Sequence, residues 1–320
     1  MISRNIAQRI LLLFQMLLVF TSGYAQENNG NKIDTTVYRI LKIKPGVTDP
    51  LVKNCDTPSV IIYNPLVSQN KILLWLTGTG GNSLNIPKTF INTALECGYR
   101  IISLSFISTP GVSQICVGNR LETDSDCASA FRRKRVYGDG TFEGIPDEPQ
   151  DAIIPRLQHL LKYLDKNDPQ GGWNKYINSI SAKPNWGKIA VVGQSQGGGM
   201  AEYIAQNEAV SRVISFSGGW DFSNSKTKKI AGWYYNKNVT PADRWYATYH
   251  VNENAAKEIA EICRALKIPR DHIFALQNPL SNRSENANKR SEHANPYHVE
   301  GIRNPVYLQI WKTLLGTGLD

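Results

Sequence analysis

One stretch constrains most of what this chain can fold into. Residues 188–192, apolar after Lys188, run without a break into Gly193-Gln194-Ser195-Gln196-Gly197, and then into a helical pattern beginning near Gly198 that holds Met200, Ala201, Tyr203, Ile204 and Ala205. An apolar run without polar alternation reads as a strand buried on both faces. The glycines let such a strand turn sharply into a helix. The same unit recurs along the chain. Strands are expected over 71–76, closed by Thr77-Gly78-Thr79-Gly80-Gly81, and over 99–106, 212–216, 244–249 and 272–276. Helices are expected over 87–97, 152–164, 254–266 and 305–315. In the second of these, Ile153, Ile154, Leu157, Leu160, Leu161 and Leu164 share one face. Strands alternating with helices imply an α/β class with a mostly parallel central sheet and helices on both faces. Reactive groups then gather at the carboxyl ends of the strands.

The ends and the cysteines set the limits of this domain. Arg4 and Arg9, the apolar run 10–20 and the small residues Gly23 and Ala25 read as a signal peptide over 1–25, whose apolar run is too short to span a bilayer. No later stretch is a better candidate for a span, so an exported protein, periplasmic or extracellular, is expected. Residues 26–57 read as an N-terminal leader and first strand region, and 58–320 as one catalytic-sized domain. Within it, 108–148 looks irregular and is expected to be a lid or an insertion with some order of its own. Five cysteines in an exported chain cannot all pair internally, so at most two disulfides are expected, and Cys116 and Cys127, in a stretch rich in Gly, Ser, Asn and Asp where a short cross-link removes unfolded-state entropy, are expected to form one. Cys97 and Cys263 read as small buried hydrophobes, and the pairing of Cys55, Cys97 and Cys263 stays open. No cysteine or histidine spacing resembles a zinc site, and neither metal nor cofactor is expected. The formal charge of +9 falls to +7 without the two leader arginines, and Arg132-Arg133-Lys134-Arg135 is the one basic run. It reads as a solvated loop, and with no basic stripe interleaved with aromatics, no nucleic-acid partner is expected.

A serine hydroxyl becomes a nucleophile only on a tight turn within reach of a base, and the segment around Ser195 offers that turn at a helix N-terminus. Gly193-Gln194-Ser195-Gln196-Gly197 resembles the nucleophile elbow of the α/β-hydrolase superfamily, in the form with glutamine beside the serine found in cutinase-like and related exported bacterial esterases. The likeness covers roughly residues 58–316 in order of elements. It implies the α/β-hydrolase fold and an oxyanion hole made by the backbone N–H of the residue after the nucleophile and of an earlier glycine-rich loop. Here these are Gln196 and Thr79, with Gly80 as the reserve. Thr77 stands where the superfamily often has histidine.

The resemblance also implies the chain order nucleophile, acid, histidine. Of five histidines, His298 lies just before the terminal helix and is the expected base, with His293 as the alternative. Glu253, after the strand 244–249, is the expected acid, and Asp221, one strand earlier, is the alternative. Together these imply a carboxylic ester hydrolase working through an acyl-enzyme on an extracellular substrate, an acylated polysaccharide or a lipid ester. A non-catalytic binding protein and a peptidase of the same fold are the alternatives. Trp220, Trp233, Tyr234 and Tyr235 are candidates for a substrate platform or for core and loop packing.

Overall fold

The structure is a computed structural model that describes residues 32–223, 228–280 and 295–318. The expected signal peptide, the first residues of the leader and His293 lie outside the described residues.

Eight strands form one sheet in the order β1-β2-β4-β3-β5-β6-β7-β8. They are β1 (Arg39–Ile43), β2 (Ser59–Tyr63), β3 (Ile72–Leu76), β4 (Arg100–Ser103), β5 (Ile189–Gln194), β6 (Arg212–Phe216), β7 (Trp245–His250) and β8 (Ile273–Leu276). β1 pairs antiparallel with β2, and β2 with β4; every later pairing is parallel. This is the α/β-hydrolase fold. The first firm strand read from sequence is the one at 71; β1 lies within the region 26–57 read as a leader and first strand region, and β2 is an addition from the structure. β1 is hard to see in sequence because its residues are only partly buried or exposed, whereas the run Val60-Ile61-Ile62-Tyr63 of β2 does carry a strand signal.

The continuous apolar runs have a simple cause: alternate side chains of each inner strand enter two different cores. Ile72, Leu74, Leu76, Ile189, Val191 and Val213 point to one face. Leu73, Trp75, Ala190, Val192, Ile214 and Phe216 point to the other. The second face is covered by α1 (Lys88–Glu96) and α9 (Leu308–Leu315), whose Phe90 and Trp311 rings meet edge to face at 5.9 Å. The first face is covered by α4 (Cys127–Tyr137), α5 (Ile153–Asn167), α6 (Gln196–Asn207) and α7 (Ala256–Ala265). Among the described residues no helix is long and apolar enough to cross a membrane.

The segment 108–148 is more ordered than its composition implies. It holds α2 (Val112–Ile115), α3 (Asn119–Thr123) and α4, and a disulfide joins Cys116 at the end of α2 to Cys127 at the start of α4. Cys55, Cys97 and Cys263 are free thiols; Cys263 is buried as expected, but Cys97, at the end of α1, is partly exposed.

The reading of Arg132-Arg133-Lys134-Arg135 as a solvated loop is corrected. Positions three apart on a helix share a face, so Arg132 and Arg135 both point inward and are fully buried. Each meets a carboxylate through two N–H groups: Arg132 with Asp221 (both 2.5 Å), and Arg135 with Asp147 (3.1 and 2.8 Å). Arg133 stays at the surface, paired with Asp139.

Candidate active site

β5 delivers Ser195 to the carboxyl edge of the sheet. The residue has φ 56° and ψ −123°, outside the conformations that a residue with a side chain ordinarily adopts. Holding it there costs about 1–3 kcal/mol, which the surroundings must offset. The Ser195 N–H donates to Phe216 O (2.9 Å), and its own carbonyl accepts from Gly199 N (3.1 Å). The two flanking glycines are required by space: a Cβ on Gly193 would run into the Gly197 carbonyl, and one on Gly197 into the carbonyls of Leu76 and Thr77. The turn therefore presses the start of α6 against the end of β3. Among the described residues the Ser195 hydroxyl makes no hydrogen bond, and the residue is partly exposed.

The loop after β7 and the helix α8 (Tyr297–Arg303) bring Glu253 and His298 together. His298 Nδ1 donates to Glu253 Oε2 at 2.8 Å, because an ionised carboxylate can only accept. That leaves the Nε2 lone pair free. The other carboxylate oxygen, Oε1, accepts from the Ser217 hydroxyl (2.6 Å) and from the His250 N–H (2.7 Å). Glu253 is buried, while the His298 side chain is 21% exposed and so reachable from solvent. Asn295 Nδ2 ties the approach to α8 to this loop by donating to Asn252 O and Asn254 Oδ1. The backbone of His298 meets the elbow: Gln194 Nε2 donates to His298 O (3.4 Å). The described residues hold no direct bond between the imidazole and the Ser195 hydroxyl. Contacts of this type commonly close only when substrate is bound.

Asp221, the alternative acid, is placed elsewhere. Both its oxygens are taken by Arg132, Oδ2 accepts from Trp233 Nε1 as well (2.8 Å), and it is buried with no bond to His298 among the described residues. Burial works against the Arg132 charge, but the Asp221 carboxylate more than compensates and raises the guanidinium pKa. The imidazoles of three other histidines have partners away from His298. His250 bonds Asn278 O and stacks on Tyr297, His272 bonds Trp245 O and stacks on Tyr246, and His159 pairs with Asp49.

Thr79 and Gln196, the residues expected to supply the oxyanion donors, meet. Gln196 is the first residue of α6, so its N–H has no acceptor within the helix. Its buried side chain has a role that its place in the sequence does not suggest: Oε1 accepts from Thr79 Oγ1 (3.2 Å) and Val112 N (3.1 Å), and Nε2 donates to Ser108 O (3.1 Å). One amide thus fastens the elbow, the glycine-rich loop and the base of the 108–148 segment. Gly80 is one residue further out, on the exposed turn with φ 72°. Of the four aromatic candidates, Trp233 and Tyr234 are core, Tyr235 is exposed, and Trp220 alone lies against His298. Ser217, which sequence reasoning misses altogether, and Trp220 are both parts of the site. Among the described residues no group of His, Cys, Asp and Glu could hold a metal ion.

Behind the elbow, Glu202 of α6 accepts from Ser215 Oγ (2.5 Å). Burial pushes its carboxyl from the ordinary 4.5 up to about 7; the Ser215 bond and Arg132 pull it down, and Asp221 pushes it further up. The folded state therefore binds this proton more tightly than the unfolded chain. The resulting stability is complete below about 4.5 and lost as pH rises through about 7. Each tenfold difference in proton affinity between the two states is worth about 1.4 kcal/mol. On that scale Glu202→Gln is expected to remove a fall in stability on the order of 3 kcal/mol between about pH 5 and about pH 8. Urea unfolding at the two pH values measures it, and an unchanged pH dependence in the variant contradicts the assignment.

No protein-family model matches the chain, and no curated protein matches it in sequence. The chain is similar to several solved structures at low identity. A bacterial heroin esterase is 14% identical, over 91% of this chain and 87% of its own, with a TM-score of 0.45. The feruloyl esterase module from Clostridium thermocellum, as a mutant complexed with sinapinate, is 13% identical over 90% of each chain with a TM-score of 0.45. Dienelactone hydrolase from Anabaena variabilis is 12% identical, over 87% of this chain and 95% of its own, also at 0.45. Likeness at this level carries no statement about chemistry, which has to come from the site.

Proposed function

We propose that the chain is an exported serine hydrolase that cleaves carboxylic esters through an acyl-enzyme. The observation that carries the reading is the Glu253–His298 pair, whose histidine backbone bonds Gln194, the residue before a serine held in a strained turn at a helix N-terminus. In the proposed reaction His298 Nε2 takes the proton from Ser195 Oγ as that oxygen attacks the ester carbonyl. Negative charge passes to the carbonyl oxygen, which accepts hydrogen bonds from the backbone N–H groups of Thr79 and Gln196, supported by the dipole of α6. The tetrahedral intermediate then collapses. The C–O bond to the alcohol breaks, His298 returns the proton to the leaving oxygen, and the acyl group stays on Ser195. Water, deprotonated by the same imidazole, releases the acid and restores the enzyme. Glu253 holds Nδ1 protonated throughout and stabilises the imidazolium that forms twice in each cycle.

The leader at 1–25 and the Cys116–Cys127 disulfide support a site of action outside the cytoplasm, where acylated polysaccharides or lipid esters are the substrates to expect. The test compares hydrolysis of short acyl esters with that of matched peptide amides by the protein lacking residues 1–25. Turnover of the esters with little or none of the amides is expected. Preferential amide cleavage would make it a peptidase, and inertness to both would make it a binding protein.

A further inference from the structure

The loop leaving β6 is pinned at two points. Ser217, at φ 47°, donates its N–H to Thr248 O (2.7 Å) and its hydroxyl to Glu253. Four residues on, Asp221 is gripped by Arg132 and Trp233, and its carbonyl accepts from Ala231 N (2.8 Å). Between these anchors Trp220 turns its Nε1–H inward to Ser217 O (2.8 Å). Its ring centre stands 5.0 Å from that of His298, the planes at 85°, and Phe222 lies 5.8 Å away. The side chain is partly exposed. Because its one polar atom is already bonded inward, the surface it leaves open is carbon.

We propose that Trp220 is the wall of the alcohol side of the binding site and selects esters whose alcohol carries a ring. The inference rests on the ester-hydrolase reading and goes beyond it by placing the leaving group. To receive its proton, the leaving oxygen must come within about 3 Å of His298 Nε2. Whatever is attached to that oxygen is then held next to the imidazole, where the indole stands. An ethyl group is too small to cover the indole. A six-membered ring, whether aryl or the C–H face of a pyranose, can lie along it and remove apolar surface from water on both partners. The anchored loop means that little freedom is lost when the contact forms. Asp221 and Arg132 then serve the site by fixing the wall, which accounts for a buried carboxylate so near the reaction yet unconnected to His298.

The experiment measures kcat and KM of the protein lacking residues 1–25 on ethyl acetate, benzyl acetate and a mono-O-acetylated methyl glycoside, for wild type, Trp220→Ala and Trp220→Phe. Trp220→Leu stands in should the alanine variant not fold. The expected result is a loss of kcat/KM on at least one ring-bearing ester at least tenfold larger than the loss on ethyl acetate. It should fall mainly in KM, with most of it restored in Trp220→Phe. Whether the benzyl or the glycoside ester shows it identifies the source of the ring. An equal loss on all three esters, as expected if Trp220 merely props His298, overturns the inference, and so does no loss. A selectivity change that follows the acyl group, tested with benzyl butyrate, overturns it too. In those cases an active wild type leaves the hydrolase reading standing. Wild type inert to every ester contradicts that reading, and the inference with it.

Discussion

Glu253→Gln is expected to leave the protein folded and to lower kcat on a short ester by about 10⁴-fold, the scale seen when the acid of a serine triad becomes its amide. A carboxylate fixes the proton on His298 Nδ1 and leaves Nε2 able to accept the serine proton. An amide in the same place presents an N–H, so the imidazole can satisfy it only by accepting at Nδ1 and carrying its proton on Nε2. That tautomer cannot act as the base. Ser217 and the His250 N–H hold the side chain in position, so the variant keeps its geometry and the loss falls in kcat. Asp221→Asn is the comparison: its carboxylate faces Arg132 and Trp233, and its effect falls on stability far more than on the pH profile of kcat. A folded Asp221→Asn as inactive as Glu253→Gln is expected to be, beside a Glu253→Gln near wild-type rate, would transfer the role of acid to Asp221.

Arg132→Met is expected to cost about 3–5 kcal/mol in unfolding free energy, because it strands the Asp221 carboxylate in the core without its partner. At roughly 2–4 °C per kcal/mol for a domain of this size, the melting temperature should fall by roughly 10 °C. Replacing both members is far milder than removing one, so Arg132→Met combined with Asp221→Asn should regain a large part of the loss. Urea unfolding of both variants measures this. A single-variant loss below about 1 kcal/mol would mean that the pair is not dry in solution. The two side chains belong to α4 and to the loop after β6, so the pair fastens the 108–148 segment to the Trp220 loop. A folded Arg132→Met should therefore also weaken the preference for ring-bearing alcohols.

The parts legible in the sequence are those set by local periodicity. β3, β5 and β6 show because strands covered on both faces have no polar alternation, and α5 shows because one face of it is apolar. The Cys116–Cys127 bridge is legible because its loop is short and rich in turn residues. What escapes is set by partners distant in the chain. The basic run looks solvated because the carboxylate that buries Arg132 is 89 residues away. For the same reason, only the place of each after its strand separates Glu253 from Asp221 in sequence. The difference lies in what each meets, Arg132 in one case and His298, 45 residues on, in the other. The place of Ser217 in the site is illegible because it depends on a left-handed backbone after β6, at serine where glycine is the usual mark, and Trp220 is one of four aromatic candidates that sequence alone does not separate. Gln196 stands out in sequence for its N–H, while its side chain, which ties three loops together, leaves no trace in spacing.

The most direct test of the central claim is labelling of the protein lacking residues 1–25 by a fluorophosphonate, read by intact mass, with Ser195→Ala and His298→Ala alongside. A single adduct on the wild type, absent from Ser195→Ala and strongly slowed in His298→Ala, is the predicted result. It would establish an activated serine and its base without any assumption about the substrate. No adduct on folded wild type, or an adduct that survives Ser195→Ala, would contradict the account. Undiminished labelling of His298→Ala would contradict the assigned base and turn attention to His293.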